Sequence, residues 1–509
     1  MTQDAEVDMK DVELNEVDPE KQPMTGGDTG NGDANSPVTE KNGSVKVKIP
    51  DEKESKFTGL SKEELLRVAG TPGWIKVRWA LLILFWLGWI GMLAGAIVII
   101  VQAPRCKPLP EMNWWDYGPL YQIGDVESFT GDSSLKGLEK KLDYVNKLKV
   151  KGLVIGPIHA SIPDKPQDLN LQEISSDSGT LEQLIKVLAE AHKKSISVVL
   201  DLTPNYKGSN PWFSNSSFGQ VADKVVSATN YWLGEGVDGI LLHGVEHIAA
   251  MDSFWTTIRE TVKNHTQDEK KKALIGVTKS SSVADVSRQL NKTGVDLLLS
   301  GILKLDSVQE TTEVVERLYS AQGNHITWNI GDRVRGHLAS IVKSARVKLS
   351  QLLLLTLPGT AVFNYGDEIG LEDSEGNVYP KMLWLEALND TEKEEKAQRT
   401  SLHSFFKSVS ELKGKERSLM HGEYLLLNSS SNAMAYMRRW DQSERYIVAL
   451  NWHPSESVTL QLSHSELPEK ATVVITTAAK QLALDTTLNL AQLEVGPQEA
   501  VVLKFPYTA

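Results

Sequence analysis

The chain has 509 residues, with 66 Asp and Glu against 54 Lys and Arg, for a net charge of −12. That acidic balance, without a glycine-rich phosphate loop, argues against nucleic acid as a partner. A single cysteine, Cys106, leaves no intrachain disulfide to build.

Residues 1–60 are rich in Asp, Glu, Lys, Gly, Asn and Ser, with few aromatics and no sustained period. Such a stretch buries too little apolar surface to offset its chain entropy, and it reads as a disordered tail. In the juxtamembrane segment 61–78, SKEELLRVAG offers a Ser N-cap with Glu at capping-box spacing, which predicts a short amphipathic helix. Residues 79–101, WALLILFWLGWIGMLAGAIVIIV, contain no charge. Roughly 20 apolar residues cross a bilayer, and hydrophobicity on all sides predicts a transmembrane helix. Gly91 and Gly95 within it make a GxxxG pair. Two readings stand: a face that admits a second helix, or glycine as a common membrane-helix residue.

Lys62, Arg67, Lys76 and Arg78 precede the span, whereas Arg105 and Lys107 follow it. The positive-inside rule then puts the N-terminus in the cytosol and the rest outside, a single-pass type II topology. The sequons at Asn215, Asn264, Asn291, Asn389 and Asn428 fall on the proposed outer side, as expected for N-glycosylation; Asn42 also matches but faces the cytosol. Cys106 lies in the outer neck, 102–112. A lone thiol there is either free or bonded to another chain, and an oxidising compartment favours the second.

From residue 113 to 411 short apolar runs alternate with helical patterns. VKGLVIGPI, SISVVLDLT, GVDGILL, ALIGVT, VDLLL, HITWNI and TAVFNY read as buried strands, with helices such as Leu181 to Lys193 and Val221 to Leu233 between them. About eight such units predict a parallel (β/α)8 TIM barrel. From 412 to 509 the pattern becomes alternating, as in AYMRRW and RYIVALNW, and predicts an antiparallel β-sandwich domain.

Several strand-end segments, in order, resemble the α-amylase family of glycoside hydrolases: WWDYGPLYQIGDVESF (114–129), LKGLEKKLDYVNKLKVKGLVIGPI (135–158), DLTPNY (201–206) and LPGTAVFNYGDEIGL (357–371). The resemblance implies a catalytic nucleophile and acid at the C-terminal strand ends. In GVDGILLHGV, His243 occupies the nucleophile position and Leu241 that of the family's arginine. In ALIGVTK, Val277 stands where the acid is expected, or Thr278 if the register slips by one. WNIGDRVR keeps Asp332 but not the family's histidine beside it. Valine cannot protonate a leaving oxygen, and an imidazole without an acid partner completes no glycosidase mechanism. Asp201, Asn205, Asp367 and Glu368 remain and are read as structural. Only about 30 residues part Asn205 from Gly236, the length of a βα unit rather than of the extra domain that walls the hydrolases' cleft. The expectation is a barrel that is not an enzyme.

His243 and His247, with Glu246 between them, have a spacing that could share a helix face, but HExxH order and a third ligand are missing, so neither metal nor other cofactor is expected. An inactive amylase barrel without the wall domain, behind an apolar anchor and one cysteine, is similar to the ancillary heavy chains of heteromeric amino acid transporters. That resemblance implies a disulfide from Cys106 to a polytopic light chain, which the heavy chain stabilises and brings to the plasma membrane. It also implies association with integrin β subunits, while the span itself contacts membrane lipids. The alternatives are an adhesion receptor or lectin using the open end of the barrel, and a residual glycoside hydrolase.

Overall fold

The computed structural model describes residues 59, 61–102, 106–131, 134–266, 270–387, 393–478 and 482–508. The tail assigned to residues 1–60 lies almost wholly outside them. Two units are distinct, 1–103 and 104–509.

In the first unit, α1 (Lys62–Ala69) begins with a capping box. The Ser61 hydroxyl accepts the Glu64 N–H at 3.3 Å, and the Glu64 carboxylate accepts the Ser61 N–H at 3.1 Å. α2 (Pro72–Gln102) runs 31 residues, all exposed, with a mean hydropathy of 2.4 over its most apolar window. At 1.5 Å per residue it measures about 46 Å, ample for a bilayer core of roughly 30 Å. The helix starts seven residues before the apolar run at Trp79. Pro72 suits a first helical turn, and Lys76 and Arg78 hide the helix start from a hydropathy reading without breaking the helix.

The second unit opens with a 3₁₀ turn, Trp114–Tyr117, and a parallel sheet. Its strands are β1 (Leu120–Ile123), β2 (Gly152–Ile155), β3 (Ser197–Asp201), β4 (Gly239–His243), β5 (Ala273–Val277), β6 (Leu297–Leu299), β7 (Thr327–Trp328) and β8 (Thr360–Asn364). Ladders join them in sequence from β1 to β6, and β8 links β1 to β7. Between β6 and β7 no ladder forms. There the Gly301 N–H, just past β6, donates to Asn329 Oδ1, just past β7, at 2.9 Å. This is the amylase-type barrel, nearly closed.

Period-two alternation divides the strands into two surfaces. Leu120, Val154, Val199, Leu241, Ile275, Val277, Leu299 and Val362 form one buried cluster with Trp115, inside the barrel. Their neighbours, such as Tyr121, Leu153, Val198, Leu242 and Phe363, join the larger core shared with the surrounding helices. The helices predicted at Leu181–Lys193 and Val221–Leu233 are found at Leu181–Lys193 and Phe218–Gly234.

The change of pattern read at residue 412 falls inside a helix, Lys393–Lys415, which continues past that boundary. Its Lys413 is buried and donates to the carbonyls of Leu357 and Gly359 at 3.2 and 2.8 Å, tying it to the approach to β8. The tail strands start at β9 (Glu423–Ser429), followed by β10 (Ala433–Arg439), β11 (Arg445–Asn451), β12 (Val458–Leu460), β13 (Lys470–Thr476), β14 (Thr487–Asn489), β15 (Leu493–Val495) and β16 (Ala500–Phe505). An antiparallel sheet ordered β9-β10-β11-β16-β13-β14 faces the β12–β15 pair across a second apolar core. Its other face, with Met434, Tyr436, Val448 and Val502, joins the barrel's outer core.

Candidate functional site

Active sites of this barrel type sit at the C-terminal strand ends. Asp201, the last residue of β3, is fully buried. Its carboxylate accepts the Thr203 N–H at 2.9 Å, the Thr203 hydroxyl, and Arg333 Nε at 3.0 Å. Arg333 reaches in from the loop after β7 with its side chain 3% exposed. Its N–H donates to Gln122 Oε1 at 3.3 Å and its guanidinium to the Tyr379 hydroxyl at 3.4 Å. Burial pushes the Asp201 carboxyl up and the guanidinium pulls it back, while Asp201 holds Arg333 above its usual range in spite of burial. Sequence reasoning missed Arg333, because nothing local in WNIGDRVR announces a partner 132 residues away.

His243 ends β4, its Nε2 buried without a hydrogen-bond partner and 3.5 Å from Asp201 Oδ2. Burial, then Arg333, Arg335 and Lys279, hold its pKa well below the ordinary histidine value, so the ring is neutral. Leu241 and Val277 sit in the apolar barrel interior. Thr278 is buried, and its carbonyl accepts from Arg335 at 2.6 Å. The Asp332 carboxylate is consumed within its own loop, accepting the N–H groups of Val334 and Arg335 and the Arg335 guanidinium at 2.8, 2.9 and 3.1 Å. His243 and His247 do not share a helix face: the first closes a strand, the second lies exposed in the short helix Val245–Ile248, and the αL residue Gly244 turns the chain between them. Among the described residues no group of three or more His, Cys, Asp or Glu gathers as metal ligands.

The other retained polar residues hold the scaffold. Asn205 Nδ2 donates to Asp164 and to the Asn210 carbonyl at 2.9 and 2.7 Å. Asp367 accepts the N–H groups of Leu338 and Asn364 at 2.8 and 2.7 Å. Glu368 accepts the hydroxyls of Tyr121 and Tyr144 at 3.0 and 2.5 Å, and burial raises its pKa to about 7.

Away from the barrel mouth, Cys106 is an exposed free thiol, and the next residue's N–H donates to Asp441 Oδ2 at 3.0 Å. Gly91 and Gly95 lie in α2 with nothing within 4 Å of where a Cβ would project. Asn264 and Asn291 are exposed, at the end of the helix Asp252–Asn264 and within the helix Val283–Thr293. Asn428 is half-buried in β9. Asn215 stands in a 3₁₀ turn, its side chain outside the described residues, as are Asn389 and Asn42.

Two family models match the chain: the N-terminus of solute carrier family 3 member 2 over residues 45–121, and the α-amylase catalytic domain over 124–223. The amino acid transporter heavy chains SLC3A2 of Oryctolagus cuniculus and Rattus norvegicus are 44% and 42% identical, each alignment covering 100% of both chains. The heavy chain SLC3A1 of Rattus norvegicus is 23% identical, over 93% of this chain and 90% of that one. Among solved structures, an α-amylase from Geobacillus thermoleovorans complexed with acarbose superposes with a TM-score of 0.62 at 19% identity, covering 78% of this chain and 100% of the other. A likeness that distant speaks to the fold alone.

Fold and site together define an amylase-fold barrel with an Asp–Arg ion pair across its mouth, on a chain whose described residues also include one helix long and apolar enough to span a bilayer. Identity across its full length places the chain in a narrower group. It belongs to the SLC3A2 family of amino acid transporter heavy chains.

Proposed function

We propose that this chain is the non-catalytic heavy subunit of a heteromeric amino acid transporter, joined through Cys106 to a polytopic light chain that it stabilises and delivers to the plasma membrane. The observation that carries this reading is the place of the only thiol: exposed, just beyond an apolar helix, and beside a backbone anchor on Asp441. A single span without an ionisable residue in 79–101 offers no polar path for a solute, so transport falls to the partner. The flanking charges support a cytosolic N-terminus. With a histidine at the nucleophile position, and Leu241 and Val277 in the apolar interior where the family has its arginine and its acid, the barrel lacks the paired carboxylates of a glycosidase, which supports the absence of that activity. Association with integrin β subunits through the span and N-terminal tail belongs to the same reading.

Cys106→Ser, co-expressed with a light chain, removes the high-mass species from a non-reducing gel and leaves much of the surface delivery intact, since helix and ectodomain contacts remain. Persistence of that species in the variant overturns the assignment of Cys106. Turnover of an α-glucoside by the purified chain, lost in His243→Ala, would return the barrel to the hydrolases.

A further inference from the structure

The barrel mouth encloses a cavity of about 120 Å³ lined in part by Thr203, Asn205, His243, Thr278, Lys279 and Arg335. That space accommodates a compact group such as a sulfate or a short carboxylate. A glycosidase subsite is negative, because its carboxylates face an oxocarbenium-like transition state. This one is not. Asp201 is matched by Arg333 and Asp332 by Arg335, and Lys279 at the rim makes no ion pair among the described residues. His243, nine-tenths buried, lines the same cavity, and its Nε2 has no hydrogen-bond partner. The charged and titratable groups around the imidazole are Asp201 on β3, Lys279 after β5, and Asp332, Arg333 and Arg335 after β7. Glu246 and His247 follow on its own short helix, where Glu246 accepts the Lys279 N–H at 3.4 Å.

We propose that this cavity binds a compact oxyanion, a carboxylate, sulfate or phosphate group, and that His243 takes up a proton when it does. The free site keeps the imidazole neutral through burial and through the field of Arg333, Arg335 and Lys279. An anion among those cations offsets their field and favours the imidazolium, whose Nε2 proton faces Asp201 Oδ2 at 3.5 Å. Linkage fixes the sign: proton uptake on binding means that affinity rises as pH falls through the neutral range.

The test is calorimetric titration of the full-length chain in detergent with sodium sulfate and, separately, with sodium acetate, at about pH 6 and about pH 7.5, in buffers of different ionisation enthalpy. Saturable one-to-one binding, tighter at the lower pH and with net proton uptake, is expected from at least one anion; the two probes separate a tetrahedral from a planar group. Lys279→Ala, an exposed change that leaves thermal unfolding unaltered, weakens binding about tenfold. His243→Gln keeps binding but removes the proton uptake. No saturable binding of either anion, or binding indifferent to Lys279→Ala, overturns the site. Unchanged proton uptake in His243→Gln overturns the coupling, and if that variant does not fold, the absence of net proton uptake by the unaltered protein overturns it.

Discussion

Arg333 lies almost wholly inside the protein, and Asp201 is the carboxylate that answers it. Removing either partner strands a buried charge, at a cost of about 3–5 kcal/mol. Arg333→Met and Asp201→Asn are each expected to destabilise the chain by that order in urea denaturation, whereas the double variant recovers most of the loss. Glu368 gives a second prediction, in pH. Its folded pKa, about 7, lies above the ordinary carboxyl value of 4.5, so between those limits the native state holds a proton that the unfolded state has released. Stability therefore falls as pH rises from 4.5 to about 7 and levels off beyond, a span worth about 3 kcal/mol. Glu368→Gln, which has no proton to lose, is expected to flatten that slope. Equal slopes in the two proteins would show that Glu368 does not titrate in this window.

The barrel's lower end depends on one close approach. A Cβ on Gly152 would fall 2.5 Å from the Trp114 ring and 2.6 Å from Leu120. Gly152→Ala is thus expected to destabilise the chain by about 1–3 kcal/mol through overpacking, read as a lowered urea midpoint, while Gly131→Ala shows what αL strain alone costs where the added methyl meets nothing. The strands were legible in the sequence because they are short apolar runs between polar turns, and the helix Leu181–Lys193 because its apolar residues recur at helical spacing. The site was legible as a set of missing groups: a leucine and a valine at positions of charge can be read without coordinates. What replaced them was not. The Asp201–Arg333 pair depends on two chain segments meeting across the barrel, and His243 and His247 looked like helix neighbours until a glycine turn separated them.

For the chain as a whole, topology is the property with the most consequences. The proposed topology puts the C-terminal side outside the cell, and on it Asn264→Gln and Asn291→Gln, both at exposed helical positions, are each expected to remove one glycosidase-sensitive mass step, whereas Asn42→Gln removes none. A mass step lost with Asn42 would reverse the orientation. The incomplete closure of the barrel has its own bearing on how the chain avoids self-association. Where β6 and β7 fail to pair, the sheet keeps two free edges, the usual templates for aggregation. These edges are only three and two residues long, bridged by the Asn329 side chain, and so offer too little backbone for a foreign strand to zip against. The seam therefore gives a neighbouring chain little to pair with, without requiring a complete ring of hydrogen bonds.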